Sequence, residues 1–121
     1  MNAYSIIKVR DREIGLFYSV GAAIDIADLM GGEIEKLGEY LQNIPSGKIV
    51  KRTVNLIEIL NRWYAEETDT EPIPRKKIMN LLDVNDMESY INAILDAIGK
   101  GTKVSIETKE VKNAESTGGN Q

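Results

Sequence analysis

The chain has 121 residues, with 15 Lys and Arg against 19 Asp and Glu, a formal charge of −4 and neither cysteine nor histidine. That is the length of one domain and enough for a core without disulfides or metals as staples. It excludes Cys/His zinc and iron–sulfur sites, thiol nucleophiles and every triad with imidazole as base. Carboxylate, lysine and tyrosine chemistry survive, and the acidic balance disfavours a general phosphate-binding role.

In chain order, Ala3 to Val9 holds Tyr4, Ile6, Ile7 and Val9, a β-rich run with rough alternation. Asp11-Arg12-Glu13 reads as a polar turn and Leu16, Phe17 and Tyr18 as a second short strand. The pair predicts an antiparallel hairpin, which needs helices packed on it to be stable. Ser19 is the expected N-cap of the next helix. Its stripe is Val20, Ala23, Ile24, Ala27 and Met30, with Asp25 and Asp28 on another side, and Gly31-Gly32 stops it. A short helix follows with Ile34, Leu37 and Leu41 in register, broken by Ile44-Pro45-Ser46-Gly47.

The strongest helix is expected from Ser46 or Gly47 to Glu66. Ile49, Val50, Val54, Ile57, Leu60 and Tyr64 trace one stripe, and Leu56, Ile59 and Trp63 widen it, so it is read as the central helix. Ala65 to Pro74 is acidic and carries Pro72 and Pro74, which predicts an exposed loop. Ile78, Leu81 and Leu82 mark the next helix, and Asp83-Val84-Asn85-Asp86 caps the last one. That helix has the stripe Met87, Tyr90, Ile91, Ile94, Leu95 and Ile98, and is expected to end at Gly99 and Gly101. Val104 and Ile106 alternate with polar neighbours, so Lys103 to Thr108 can supply a third strand beside the hairpin.

From Lys109 to Gln121 only Val111 and Ala114 are apolar, a composition that cannot offset its ordering entropy. The expected organisation is one globular domain over residues 1–108 and a disordered polar tail over 109–121. The fold class is α+β and predominantly helical: an N-terminal β-hairpin, which a C-terminal strand can join, packed on about five helices. Met1 to Arg12 lacks the apolar run of a secretory signal, and no stretch has the ~18 consecutive apolar residues of a membrane span. A soluble intracellular protein is expected.

Candidate chemistry falls into four groups, each with a structural explanation. Asp25/Asp28, Glu33/Glu35 and Asp83/Asp86 could pair for acid/base work or hold a hard cation, but no stretch fits an EF-hand loop, and Asp83 and Asp86 sit where a helix cap belongs. Gly31-Gly32 and Gly99-x-Gly101 follow helices, whereas phosphate-cradling loops join a strand to a helix N-terminus, and Gly47-Lys48 is followed by Ile49 instead of Ser or Thr. Lys48, Lys51 and Arg52 lie on one helical turn, and Arg75-Lys76-Lys77 precede two helices in a helix-turn-helix silhouette. The final helix of that silhouette carries Glu88 and Asp96 and no Lys or Arg before Lys100, so phosphates would repel it. Phe17, Tyr18, Trp63 and Tyr64 could anchor a partner, with at least one of Trp63 and Tyr64 expected in the core.

The stretch Arg12-Glu13-Ile14-Gly15-Leu16-Phe17-Tyr18-Ser19-Val20-Gly21-Ala22-Ala23-Ile24-Asp25-Ile26-Ala27-Asp28-Leu29-Met30-Gly31 resembles the opening of small tail assembly chaperone proteins of long-tailed, siphovirus-like bacteriophages and prophages. Those proteins begin with a short strand pair and a helix ending in glycine. Their long helix ends in an aromatic and acidic stretch, as Trp63-Tyr64-Ala65-Glu66-Glu67 does here, and a helix like Ser89-Tyr90-Ile91-Asn92-Ala93-Ile94-Leu95-Asp96-Ala97-Ile98 precedes a polar tail. The likeness spans roughly residues 4–106. It implies a non-enzymatic protein of the host bacterial cytoplasm, absent from the mature virion. Such a protein binds the tape measure protein, keeps it soluble and assists polymerisation of the major tail protein around it. No catalytic, cofactor or metal residue follows from the likeness, and no partner-binding residue is assigned. Membrane binding is not expected, nucleic acid is disfavoured, and self-association is left open. The alternative from the residues alone is a small helix-turn-helix DNA-binding regulator.

Overall fold

The computed structural model describes residues 2–32, 34–42 and 45–117, with the side chains of residue 34 and residues 103–117 outside the description. Strands β1 (Tyr4–Val9) and β2 (Arg12–Phe17) form an antiparallel hairpin, in register from Tyr4 opposite Phe17 to Val9 opposite Arg12. Strand alternation puts Ser5, Ile7 and Val9 on one face with Ile14 and Leu16, and these five are buried. The hairpin rests on helices, β2 against α3 (Ser46–Thr68) and β1 against α5 (Met87–Thr117).

Helix α1 (Val20–Leu29) starts at Ser19, whose hydroxyl accepts from the Ala22 N–H at 3.1 Å. It ends in a Schellman motif. The Gly32 N–H donates to the Ala27 carbonyl and the Gly31 N–H to that of Asp28, with both glycines at positive φ (81° and 100°). A 3-10 turn (Ile34–Lys36) and the one-turn α2 (Leu37–Tyr40) lead to α3, and Leu37 and Leu41 are buried.

Helix α3 is the centre of the fold, touching β2, α1, α4 (Arg75–Leu81) and α5. Its sequence is not a strong intrinsic helix. Ile49, Val50, Thr53, Val54, Ile57 and Ile59 are β-branched, costing roughly 0.5 kcal/mol each relative to alanine. Leu56, Ile57 and Leu60 are fully buried, and each contributes about 1.5–3 kcal/mol. Tertiary burial therefore outweighs local propensity here. Helix α4 buries Ile78 and Leu81, a 3-10 turn (Val84–Asp86) follows, and α5 buries Tyr90, Ile94 and Ala97.

The predominantly helical α+β class is as expected, with three differences. First, α1 buries Ala22 and Ile26, leaving Val20 (79 % exposed) and Ile24 (56 %) of the expected core stripe in solvent. The helix is apolar on both sides, so periodicity could not say which side faces inward. Second, α3 runs to Thr68, and Asp69 ends it in the left-handed conformation. Third, Gly99 and Gly101 do not stop α5, which continues to Thr117, and the residues expected as a third strand lie in that helix. The sheet has two strands among the described residues. Of the segment read as a polar tail, 109–121, the side chains and residues 118–121 altogether lie outside the described residues.

Candidate functional site

Asp25 and Asp83, one from each of two carboxylate pairs, are engaged in structure. Asp25 Oδ2 accepts from the Trp63 indole N–H at 2.7 Å and from Arg62 at 3.2 Å, pinning α1 to α3. Asp83 caps the 3-10 turn through the Asn85 N–H at 2.9 Å. Glu33 lies outside the described residues. Among the described residues no three Asp or Glu side chains converge as a metal site. Gly31 and Gly32 end a helix, and Gly47 lies in the first turn of α3.

The aromatics are used inside the fold. The Tyr64 ring lies where a Cβ on Gly15 would stand, and the Trp63 ring does the same at Gly21. Tyr4 meets Phe17 and Tyr64 edge-on, at 5.3 and 5.2 Å between centroids. A Cβ on Gly101 would fall 2.5 Å from the Tyr18 carbonyl, so Gly101 lets α5 pass close to the strand end. Burial pushes the Tyr18 phenol above its ordinary value. Arg52 reaches across to α2, donating to the Tyr40 carbonyl at 2.9 Å with its guanidinium 4.5 Å from the ring centroid.

What remains open is a groove between α3 and the α4–α5 segment. One wall is Gly47, Val50, Lys51 and Val54, the i, i+3, i+4, i+7 face of α3. The other is Arg75, Met79 and Leu82, then Val84 and Met87. It encloses about 370 Å³. A second hollow of about 410 Å³ shares Gly47, Val50, Val84 and Met87, so the two are continuous. Val84 is 69 % exposed and Met79 55 %. Buried Ile78 and Leu81 fix α4 on α3, and Arg75 pairs with Glu58 at 3.0 Å. The α5 end is tied by the Asp83 N–H, which donates to the Tyr90 hydroxyl at 2.9 Å.

Comparison with family models, with curated proteins and with solved structures found no match. The geometry of the groove therefore carries the functional reading. It offers apolar surface framed by two cations, which suits contact with another apolar surface. No helix among the described residues is long and apolar enough to cross a membrane.

Of the basic residues found in the sequence, Lys51 on α3 and Arg75 on α4 line this groove from opposite sides, while Lys48 and Arg52 line a neighbouring hollow with Lys51 and Tyr40. The apolar floor was not recognised as a site. Its signal was present in Met79 and Val84, apolar residues outside the two core stripes, the first within one helical turn of Arg75, Lys76 and Lys77. Two buried polar residues were also missed. The Thr53 hydroxyl donates to the Ile49 carbonyl at 2.7 Å, and Asn61 bridges β2 to the loop before α4.

Proposed function

We propose that this chain is a non-enzymatic tail assembly chaperone of a long-tailed bacteriophage or prophage, binding the tape measure protein and assisting tail tube polymerisation. The observation that carries the reading is the open apolar groove between α3 and the α4–α5 segment, with Met79 and Val84 turned to solvent. A tape measure is a long helical chain with apolar stripes, and such stripes aggregate unless covered. A groove walled by two helices is the shape that takes an amphipathic helix. The residue patterns of Arg12 to Gly31 and of Trp63 to Glu67 add the family likeness. The protein would act in the host cytoplasm and leave before the virion is complete.

Two experiments test it. The gene should lie between those for the major tail protein and the tape measure protein, and a neighbourhood without phage structural genes would sink the reading. Co-expression should hold an otherwise insoluble tape measure fragment in solution, and unchanged solubility counts against it.

The competing helix-turn-helix regulator draws on Arg75-Lys76-Lys77 and the two helices they precede, α4 and α5. Against it stand Glu88 and Asp96 on α5, the helix that would have to enter a DNA groove. It predicts a salt-dependent mobility shift, and none at low salt removes it.

A further inference from the structure

We infer that the groove between α3 and the α4–α5 segment docks an amphipathic helix whose flanks are acidic. This deepens the proposed function by naming the partner's surface chemistry, and it rests on the reading of the chain as an interaction protein. The chain is acidic overall, at −4, yet the charged residues that line the groove are both cations, Lys51 and Arg75. Helix α3 has Lys48, Lys51 and Arg52 and no acid before Glu58, while α4 has Arg75, Lys76 and Lys77 and no acid at all. Glu58 answers Arg75. Among the described residues Lys48, Lys51, Lys76 and Lys77 have no carboxylate at ion-pair distance. Acids reappear at Asp83, which is occupied as a cap, and at Asp86 and Glu88 on either side of Met87.

The floor between these walls is apolar. Val50, Val54 and Leu82 form its base, and Met79 and Met87 supply flexible, polarisable side chains that adapt to a partner. Nucleic acid would find the cations but would also desolvate against exposed Met79 and Val84 with nothing to pair there. The chain's own residues 103–121 carry three Lys and three Glu, so they do not complement the groove. An apolar stripe flanked by Glu or Asp satisfies both features, with Lys51 in the lining and Lys76 next in sequence to the lining residue Arg75.

The test uses the intact chain and two labelled helical peptides of about four turns, with the same leucine stripe and either Glu or Lys on the flanks. Fluorescence anisotropy should show the Glu peptide binding at least about tenfold tighter than the Lys peptide, and weakening as salt rises. Met79→Asp with Val84→Asp, at exposed positions, should abolish binding while circular dichroism and melting stay unchanged. Lys51→Glu with Lys76→Glu should reverse the preference between peptides. Equal affinities, no binding, or binding untouched by both double variants overturns the inference. So does displacement of the peptide by a DNA duplex at lower concentration, or a dimer in light scattering that Val84→Asp dissociates. The chaperone reading fails separately: if both double variants still solubilise a tape measure fragment, the chaperone stands and the groove falls. If the Glu peptide binds in the groove but the fragment is not rescued, the reverse holds.

Discussion

Asn61 on α3 donates from Nδ2 to the Gly15 carbonyl of β2 at 3.0 Å, 46 residues earlier in the chain. Its Oδ1 accepts from the Ile73 N–H at 2.8 Å. One buried amide thus ties the hairpin, the central helix and the loop that launches α4. Asn61→Ala strands both backbone groups, each costing about 1–3 kcal/mol when left unpaired away from water. The variant should lose about 2–4 kcal/mol in urea denaturation. A loss below 0.5 kcal/mol or so would mean water replaces the amide.

Gly99 and Gly101 separate two roles of glycine within one helix. A Cβ on Gly99 meets nothing within 4 Å, so Gly99→Ala should raise stability by up to about 1 kcal/mol through helix propensity. A Cβ on Gly101 meets the Tyr18 backbone carbonyl at 2.5 Å, so Gly101→Ala should lower it by about 1–3 kcal/mol despite the same propensity gain. Thermal melts of the two variants should move in opposite directions.

The hydrogen bonds of Asp25 give a graded series. Asp25→Ala removes the acceptor of the Trp63 indole and should cost about 1.5–3 kcal/mol, because the bond is charge-assisted. Asp25→Asn keeps an acceptor oxygen and should cost less. Arg62→Ala should change stability by about 1 kcal/mol at most, since that side chain is 50 % exposed. Trp63 is the one tryptophan, so its emission follows each variant directly.

Tyr18 sets an alkaline limit. Its phenol is raised by burial, so the folded chain holds that proton at pH values where the unfolded chain has released it. The contribution is complete below the unfolded value of about 10 and is lost as pH rises through the raised folded value. Tyr18→Phe has no proton to lose. Its melting temperature should fall less steeply than that of the parent between about pH 9 and about pH 11. Parallel curves would show that Tyr18 does not titrate differently in the two states.

Residues whose neighbours lie close in sequence were legible. The Ser19 cap, the Gly31-Gly32 stop and the α3 stripe around Leu56, Ile57 and Leu60 follow from spacing and turn chemistry. Long-range partners were not. Gly101 carries a turn residue's usual meaning until Tyr18 is brought against it from 83 residues away, a distance given by 101 − 18. Asn61 reads as a polar interruption until Gly15 and Ile73 arrive on either side. Helix α1 offered two apolar sides, and only the placement of Trp63 over Gly21 decides between them. The groove escaped notice for the same reason: its walls come from segments nearly thirty residues apart, Val50 and Met79 being separated by 79 − 50 = 29.

The Lys100 ammonium donates to the Tyr4 carbonyl at 2.8 Å, across 96 residues, and β1 leans on α5. During synthesis the first strand therefore leaves the ribosome long before its covering helix exists. Ile7 and Val9, buried in the finished fold, spend that interval with only part of their surroundings in place. Such late closure is slow in proportion to the loop it must bridge and exposes strand edges meanwhile. A chain truncated before Met87 should thus retain the α1–α3 and α3–β2 contacts yet show β1 less protected than β2 in hydrogen exchange.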